Sequence, residues 1–145
     1  MIQARRRARQ ALVQAVYQWQ LSGQNLIEID AQFAEEHAGS KTDMGYFREN
    51  FFGLAKNLDV VDAALLPYLE RTIDEVNPVE RAILRLGVYE LMFRPELHYR
   101  IVLNESIDLA KRFGADQGHR YVNGVLDSAA KTLRASEFGQ SRPGN

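Results

Sequence analysis

Apolar residues recur at steps of three and four along almost the whole chain, and no stretch combines strict alternation with β-branched enrichment and Asn-Gly or Asp-Gly turns. The pattern predicts an all-α fold. A first helix is expected from about Ala4 to Leu21, with Ala8, Leu12, Val16 and Trp19 on one face and Gln10, Gln14 and Gln18 on another. Ser22-Gly23 should end it with a left-handed cap. A shorter amphipathic segment covers Glu28 to His37. Thr42 or Asp43 can then cap a helix carrying Phe47, Phe51, Leu54 and Leu58 at helical steps. The run from Asp59 to Leu69 keeps the helical pattern until Pro67, which removes an amide donor and should bend the chain.

Asn77-Pro78-Val79-Glu80 is the clearest helix start, with a capping Asn, Pro at the first helical position and Glu at the third. The residues after it, from Ile83 to Met92, are apolar on most sides, which makes this the expected central helix. Arg94-Pro95 ends it. A further helix from about Val102 to Phe113 closes at Gly114, and Asp116 can cap the last one, whose core stripe is Val122, Leu126, Ala129 and Leu133. The expected architecture is a compact single-domain bundle of about seven helices over residues 1–134. Residues 135–145 are polar and contain Gly and Pro, and read as a disordered tail.

Composition narrows the chemistry. The 145 residues are 46% apolar and 26% charged, suited to one domain. The absence of cysteine excludes disulfides, thiolate metal sites and thiol nucleophiles. The longest charge-free stretch, Gln10 to Ile27, holds five glutamines and is no membrane span. The opening arginines lead into no apolar signal-peptide region, so a cytoplasmic location is expected. No P-loop, GxGxxG, GxSxG or HExxH pattern occurs, and His37, His98 and His119 lie in separate segments without ligand spacing. Neither an enzyme, a metal, a cofactor nor a small-molecule substrate is therefore expected.

The formal net charge of −1 hides an uneven distribution, because the first ten residues hold Arg5, Arg6, Arg7 and Arg9 and no acid. Cations at a helix N-terminus oppose its dipole by roughly 0.3–1 kcal/mol each. An anionic partner would relieve that cost; an unusually basic, solvated terminus is the alternative. Arg120-Tyr121 puts a cation beside a ring, the pair needed to stack an unpaired base and hold its phosphate. Spacing alone reads Tyr121 more readily as a half-buried core residue. Tyr17 borders an uncharged glutamine face suited to protein contact. Asp74, Glu75 and Glu80 form an acidic patch that either meets a basic partner or simply stabilises a helix N-terminus.

Four blocks in order resemble the bacterial NusB family of transcription antitermination proteins: Ala4-Arg5-Arg6-Arg7-Ala8-Arg9 with Ala15 to Leu21; Val79 to Leu86 with Tyr89-Glu90-Leu91; Asn104 to Lys111; and Tyr121 to Asp127. The resemblance runs from about residue 4 to 134. It implies a non-enzymatic, all-helical adaptor that binds the boxA element of ribosomal and phage RNA together with NusE, a small-subunit ribosomal protein. It also implies a larger complex on RNA polymerase, and some relatives self-associate, so a homodimer is a further expected state. By that likeness Arg5, Arg6, Arg7, Arg9, Arg120 and Tyr121 match RNA-binding positions, while Tyr17, Asp74 and Glu80 match NusE-facing ones. Gln117 stands where some members carry an acid, and Tyr121 where a phenylalanine is common. The competing reading is a protein-only interaction module or homodimer whose basic end binds no RNA specifically.

Overall fold

The computed structural model describes residues 2–140, and its elements are helical throughout, with no strand among the described residues. The order is α1 Ile2–Ser22, α2 Leu26–Glu36, α3 Met44–Lys56, α4 Leu58–Leu65, 3-10 turns Leu66–Tyr68 and Ile73–Glu75, α5 Pro78–Phe93, α6 Tyr99–Phe113, α7 Gly118–Leu133 and α8 Ala135–Gln140. The all-α expectation holds. α5 is the axis: every residue from Arg81 to Leu91 is buried, and α1, α3, α4, α6 and α7 all pack on it. Its start is built as the sequence requires, with Asn77 Oδ1 accepting from the amides of Val79 (2.9 Å) and Glu80 (3.3 Å).

Other boundaries follow local chemistry. Gly23, at φ 64°, closes α1 by donating to the Trp19 carbonyl. Asp43, rather than Thr42, caps α3 by accepting from the Tyr46 amide at 3.0 Å. Phe33, Phe47 and Phe51 stack in sequence, with centroids 5.5 and 5.6 Å apart, and tie α2 to α3. At Pro67 the chain tightens into a 3-10 turn, the expected response to a missing donor.

Two expectations fail. Asp116 does not cap α7; Gln117 holds the position before it in the left-handed region at φ 68°, without a side-chain cap. The turn instead brings Gly118 so close to Glu80 that a Cβ there would collide with the carboxylate. An acid from another helix therefore lies against the start of α7, where its dipole favours negative charge.

The second correction concerns residues 135–140, which form α8 rather than disordered tail; residues 141–145 lie outside the described residues. Phe138 stacks on Tyr99 with centroids 4.2 Å apart, and Glu137 accepts from the Tyr99 amide (2.8 Å) and the Arg134 guanidinium (2.6 Å). Burial raises the Glu137 carboxyl, but the Tyr99 amide and Arg134 outweigh it and hold the group below its ordinary value. A carboxylate depressed in the folded state adds stability above its unfolded value and loses it as pH falls through the folded one. Glu137→Gln is thus expected to lower stability by about 1.5 kcal/mol near pH 7. Urea midpoints should show the gap to wild type closing as pH drops below about 4; a gap independent of pH would contradict this role.

Candidate nucleic-acid interface

The arginines opening α1 do not share one environment. A 3.6-residue helix sends Arg6, Gln10, Gln14 and Tyr17 along one partly exposed stripe, whereas Arg9 continues the buried row of Val13 and Val16. Arg9 is only 3% exposed. Its Nε donates to Glu90 Oε2 at 2.9 Å, Nη1 lies 3.7 Å from Glu105 Oε1, and Nη2 donates to the Tyr46 hydroxyl at 3.4 Å. The Tyr46 hydroxyl donates in turn to Glu90. Burial pulls the Arg9 guanidinium down, but Glu90, Tyr46 and Glu105 more than offset it and keep the group charged. Burial and the Glu90 carboxylate push the Tyr46 phenol well above its ordinary value, so it remains a donor.

Arg9 is therefore a core residue, a correction to its expected place among surface cations: a phosphate cannot reach a guanidinium enclosed between two carboxylates. The signal was present in Glu90, an acid inside the central helix that was expected to be apolar on most sides, where it needs a buried cation.

The remaining three differ in what their charge meets. Arg6 Nε donates to Glu105 at 3.0 Å while staying largely exposed. Arg5 lies over the Tyr46 ring, 4.2 Å from its centroid. Arg7 is exposed and reaches only the Lys41 carbonyl, at 3.5 Å. Among the described residues neither Arg5 nor Arg7 forms an ion pair. The fold thus neutralises two of the four cations and leaves two available. Lys41, on the loop beside them, lines a cavity of about 520 Å³ with Ile2, Arg5 and Asp43, and was not singled out from the sequence.

Arg120 and Tyr121 sit at the other end of α5. α1 runs antiparallel to α5, because Arg9 meets Glu90 near one end while Gln20 Nε2 donates to the Pro78 carbonyl at the other, at 2.9 Å. Since Gly118 abuts Glu80, the start of α7 belongs to that second end. Ten residues of helix, roughly 15 Å, separate Glu80 from Glu90. Next to the basic end, a furrow of about 180 Å³ runs between α1 and α6, lined by Arg6, Gln10, Glu105, Asp108 and Arg112. Arg112 was also missed, since a cation in the last turn of a helix already has a reason in its dipole. Arg120 is exposed and Tyr121 half-buried, with Arg71 over its ring at 5.3 Å.

Tyr17, Asp74 and Glu80 gather where α1 finishes and α5 begins. Tyr17 is 37% exposed and lines a groove of about 640 Å³ with Gln14, Leu21, Val79 and Phe113. Asp74 is exposed beside a smaller cavity shared with Trp19, Gln20 and Arg81. Among the described residues no group of three His, Cys, Asp or Glu side chains could hold a metal ion, and no helix is long and apolar enough to cross a membrane.

The NusB family model matches residues 6–131. The transcription antitermination protein NusB of Nitrosococcus oceani is 51% identical over 138 residues, covering 95% of this chain and 93% of that protein. Its counterpart in Proteus mirabilis is 50% identical over 131 residues, covering 90% and 96%. Among solved structures, a chain in a crystal structure of antitermination factors NusB and NusE in complex with dsRNA superposes with a TM-score of 0.83 at 29% identity, covering 91% of this chain and 99% of that one. T. maritima NusB gives 0.80 at 30% identity, covering 92% and 96%. With a family model spanning most of its length and relatives about half identical over nine-tenths of it, the chain belongs to the NusB family, whose members are non-enzymatic transcription antitermination factors.

Proposed function

We propose that this chain is an RNA-binding adaptor that holds the boxA element of ribosomal RNA transcripts together with NusE, within an antitermination complex on cytoplasmic RNA polymerase. The helical body, residues 1–134, is the binding domain, and α8 packs against it. The observation that carries the reading is the pair Arg5 and Arg7, exposed or half-exposed cations that the fold leaves without a carboxylate at the start of α1. Arg6 joins them when phosphate competes for its guanidinium with Glu105. Arg120 and Tyr121, at the start of α7, supply an exposed cation and a ring on which a base can be stacked. The likeness to a NusB chain bound with NusE and RNA supports both partners. NusE is assigned to the surface around Tyr17, Asp74 and Glu80, which adjoins the start of α7 at Glu80; the groove beside Tyr17, lined by Gln14, Leu21, Val79 and Phe113 together with Glu36, has the aromatic and aliphatic lining of a protein contact.

Titration of labelled boxA RNA and a scrambled control, with and without NusE, tests the proposal. Binding should weaken with salt, and Arg7→Ala should reduce the slope of log K against log salt by about 0.7 on either RNA. Tyr121→Ala should lower boxA affinity by roughly tenfold and narrow its margin over the scramble, since one base stack is worth about 1–3 kcal/mol. Equal affinity for both RNAs in the presence of NusE would reject the proposal in favour of a protein-only module or homodimer.

A further inference from the structure

Arg71 is an exposed arginine for which the sequence offered no role. It lies between the two 3-10 turns, and that segment is tied down on both sides. Before it, the Tyr68 hydroxyl donates to Thr132 Oγ1 of α7 at 2.8 Å. After it, the Thr72 amide and hydroxyl both donate to Glu75 Oε1 at 3.0 Å, closing a capping box. Its backbone is thus held beside α7 by contacts that do not involve the guanidinium. No ion pair of Arg71 occurs among the described residues, although Glu70, Glu75 and Glu80 all lie in its neighbourhood. The guanidinium instead sits over the Tyr121 ring, 5.3 Å from the centroid.

The ring beneath is placed in an unusual way. Its hydroxyl is enclosed and has no hydrogen-bond partner, so Tyr121 enters the protein tip first. One face of the remaining ring is covered by Arg71. A base that comes to Tyr121 on that side meets a guanidinium plane before it meets the aromatic one. Guanidinium is planar, weakly hydrated and stacks on bases as well as on rings, properties that an ammonium lacks.

We propose that Arg71 is a base-contacting residue of the RNA surface, sandwiched between the Tyr121 ring and an unstacked base of the single strand. The inference rests on the RNA-binding reading above and adds to it a residue from the loop before α5. Arg71 then contributes in two separable ways, through a charge that any phosphate senses and through a plane that only a stacked base senses.

Arg71→Ala and Arg71→Lys separate these contributions, titrated in the full-length protein against labelled boxA RNA and its scramble at several salt concentrations. Arg71→Ala is expected to weaken boxA binding about tenfold and to narrow the boxA-to-scramble ratio. Arg71→Lys should recover the salt slope without recovering that ratio. A lysine variant indistinguishable from wild type would reduce Arg71 to a phosphate contact and overturn the inference, as would an alanine variant that changes neither quantity or that loses only NusE binding. Arg7→Ala and Tyr121→Ala run in the same series keep the two levels apart: if they weaken binding while Arg71 is silent, only this inference falls, and if all are silent the RNA surface itself is misassigned.

Discussion

Arg9→Ala is expected to destabilise the domain by about 3–5 kcal/mol, the range for removing one partner of a buried ion pair. The cost arises from what is left behind. Glu90 is 1% exposed, and its carboxylate would keep only the Tyr46 hydroxyl as a close partner. Glu105, with its side chain 12% exposed, would retain Arg6 and suffer less. Because a domain of 145 residues is held by only about 5–15 kcal/mol, the variant should show a large drop in urea midpoint. The double change Arg9→Met with Glu90→Leu removes both charges and should recover much of the loss, since paired burial is expensive in itself. At low temperature, where Arg9→Ala stays folded, its RNA affinity and salt slope should remain close to wild type. A reduced salt slope with normal stability would return Arg9 to the surface.

Arg134→Ala should cost a similar amount for a different reason. The Arg134 side chain is 7% exposed and donates to the carbonyls of Leu91 (2.8 Å), Leu97 (2.7 Å), Glu90 (3.4 Å) and Arg94 (2.9 Å), besides pairing with Glu137. The carbonyls belong to the last turn of α5 and the loop into α6; those of Glu90 and Arg94 also accept from the Arg94 and Leu97 amides, whereas Leu91 faces Pro95 four residues on, which has no amide proton to offer. A guanidinium can serve several of them at once because its donors are spread around a plane. Truncation would take the guanidinium from the Leu91 and Leu97 carbonyls and from Glu137 of α8, for an expected loss of about 3 kcal/mol. Arg134→Lys should rescue only a minor part, as one ammonium cannot span the same fork. Hydrogen exchange would locate the damage at Leu91 to Leu97 and α8; a loss spread evenly over the chain would argue against this role.

The two residues mark where sequence reasoning stops. Helix spacing and caps are local properties, so α1, α3 and α5 were readable from patterns within a few residues, as was the apolar character of α5 on most sides. Arg5, Arg6 and Arg7 were readable as a basic cluster for the same reason. Arg9 was grouped with them although it falls on the row of Val13 and Val16, because no local segment reveals that Glu90, 81 residues away, will face it. The polar stretch 135–140 resembled a tail because the docking site for Phe138 and Glu137 is Tyr99, on another helix.

The chain's own pattern of side chains settled the helical class, the central place of α5 and the presence of a basic end, since each depends on periodicity, capping or charge density along a short segment. Which arginines face solvent, where Arg120 and Tyr121 lie relative to the basic end, and what lies over Tyr121 were decided by packing alone. Those properties are distances between residues far apart in the chain, and only the folded arrangement of the helices brings the groups within reach of one another.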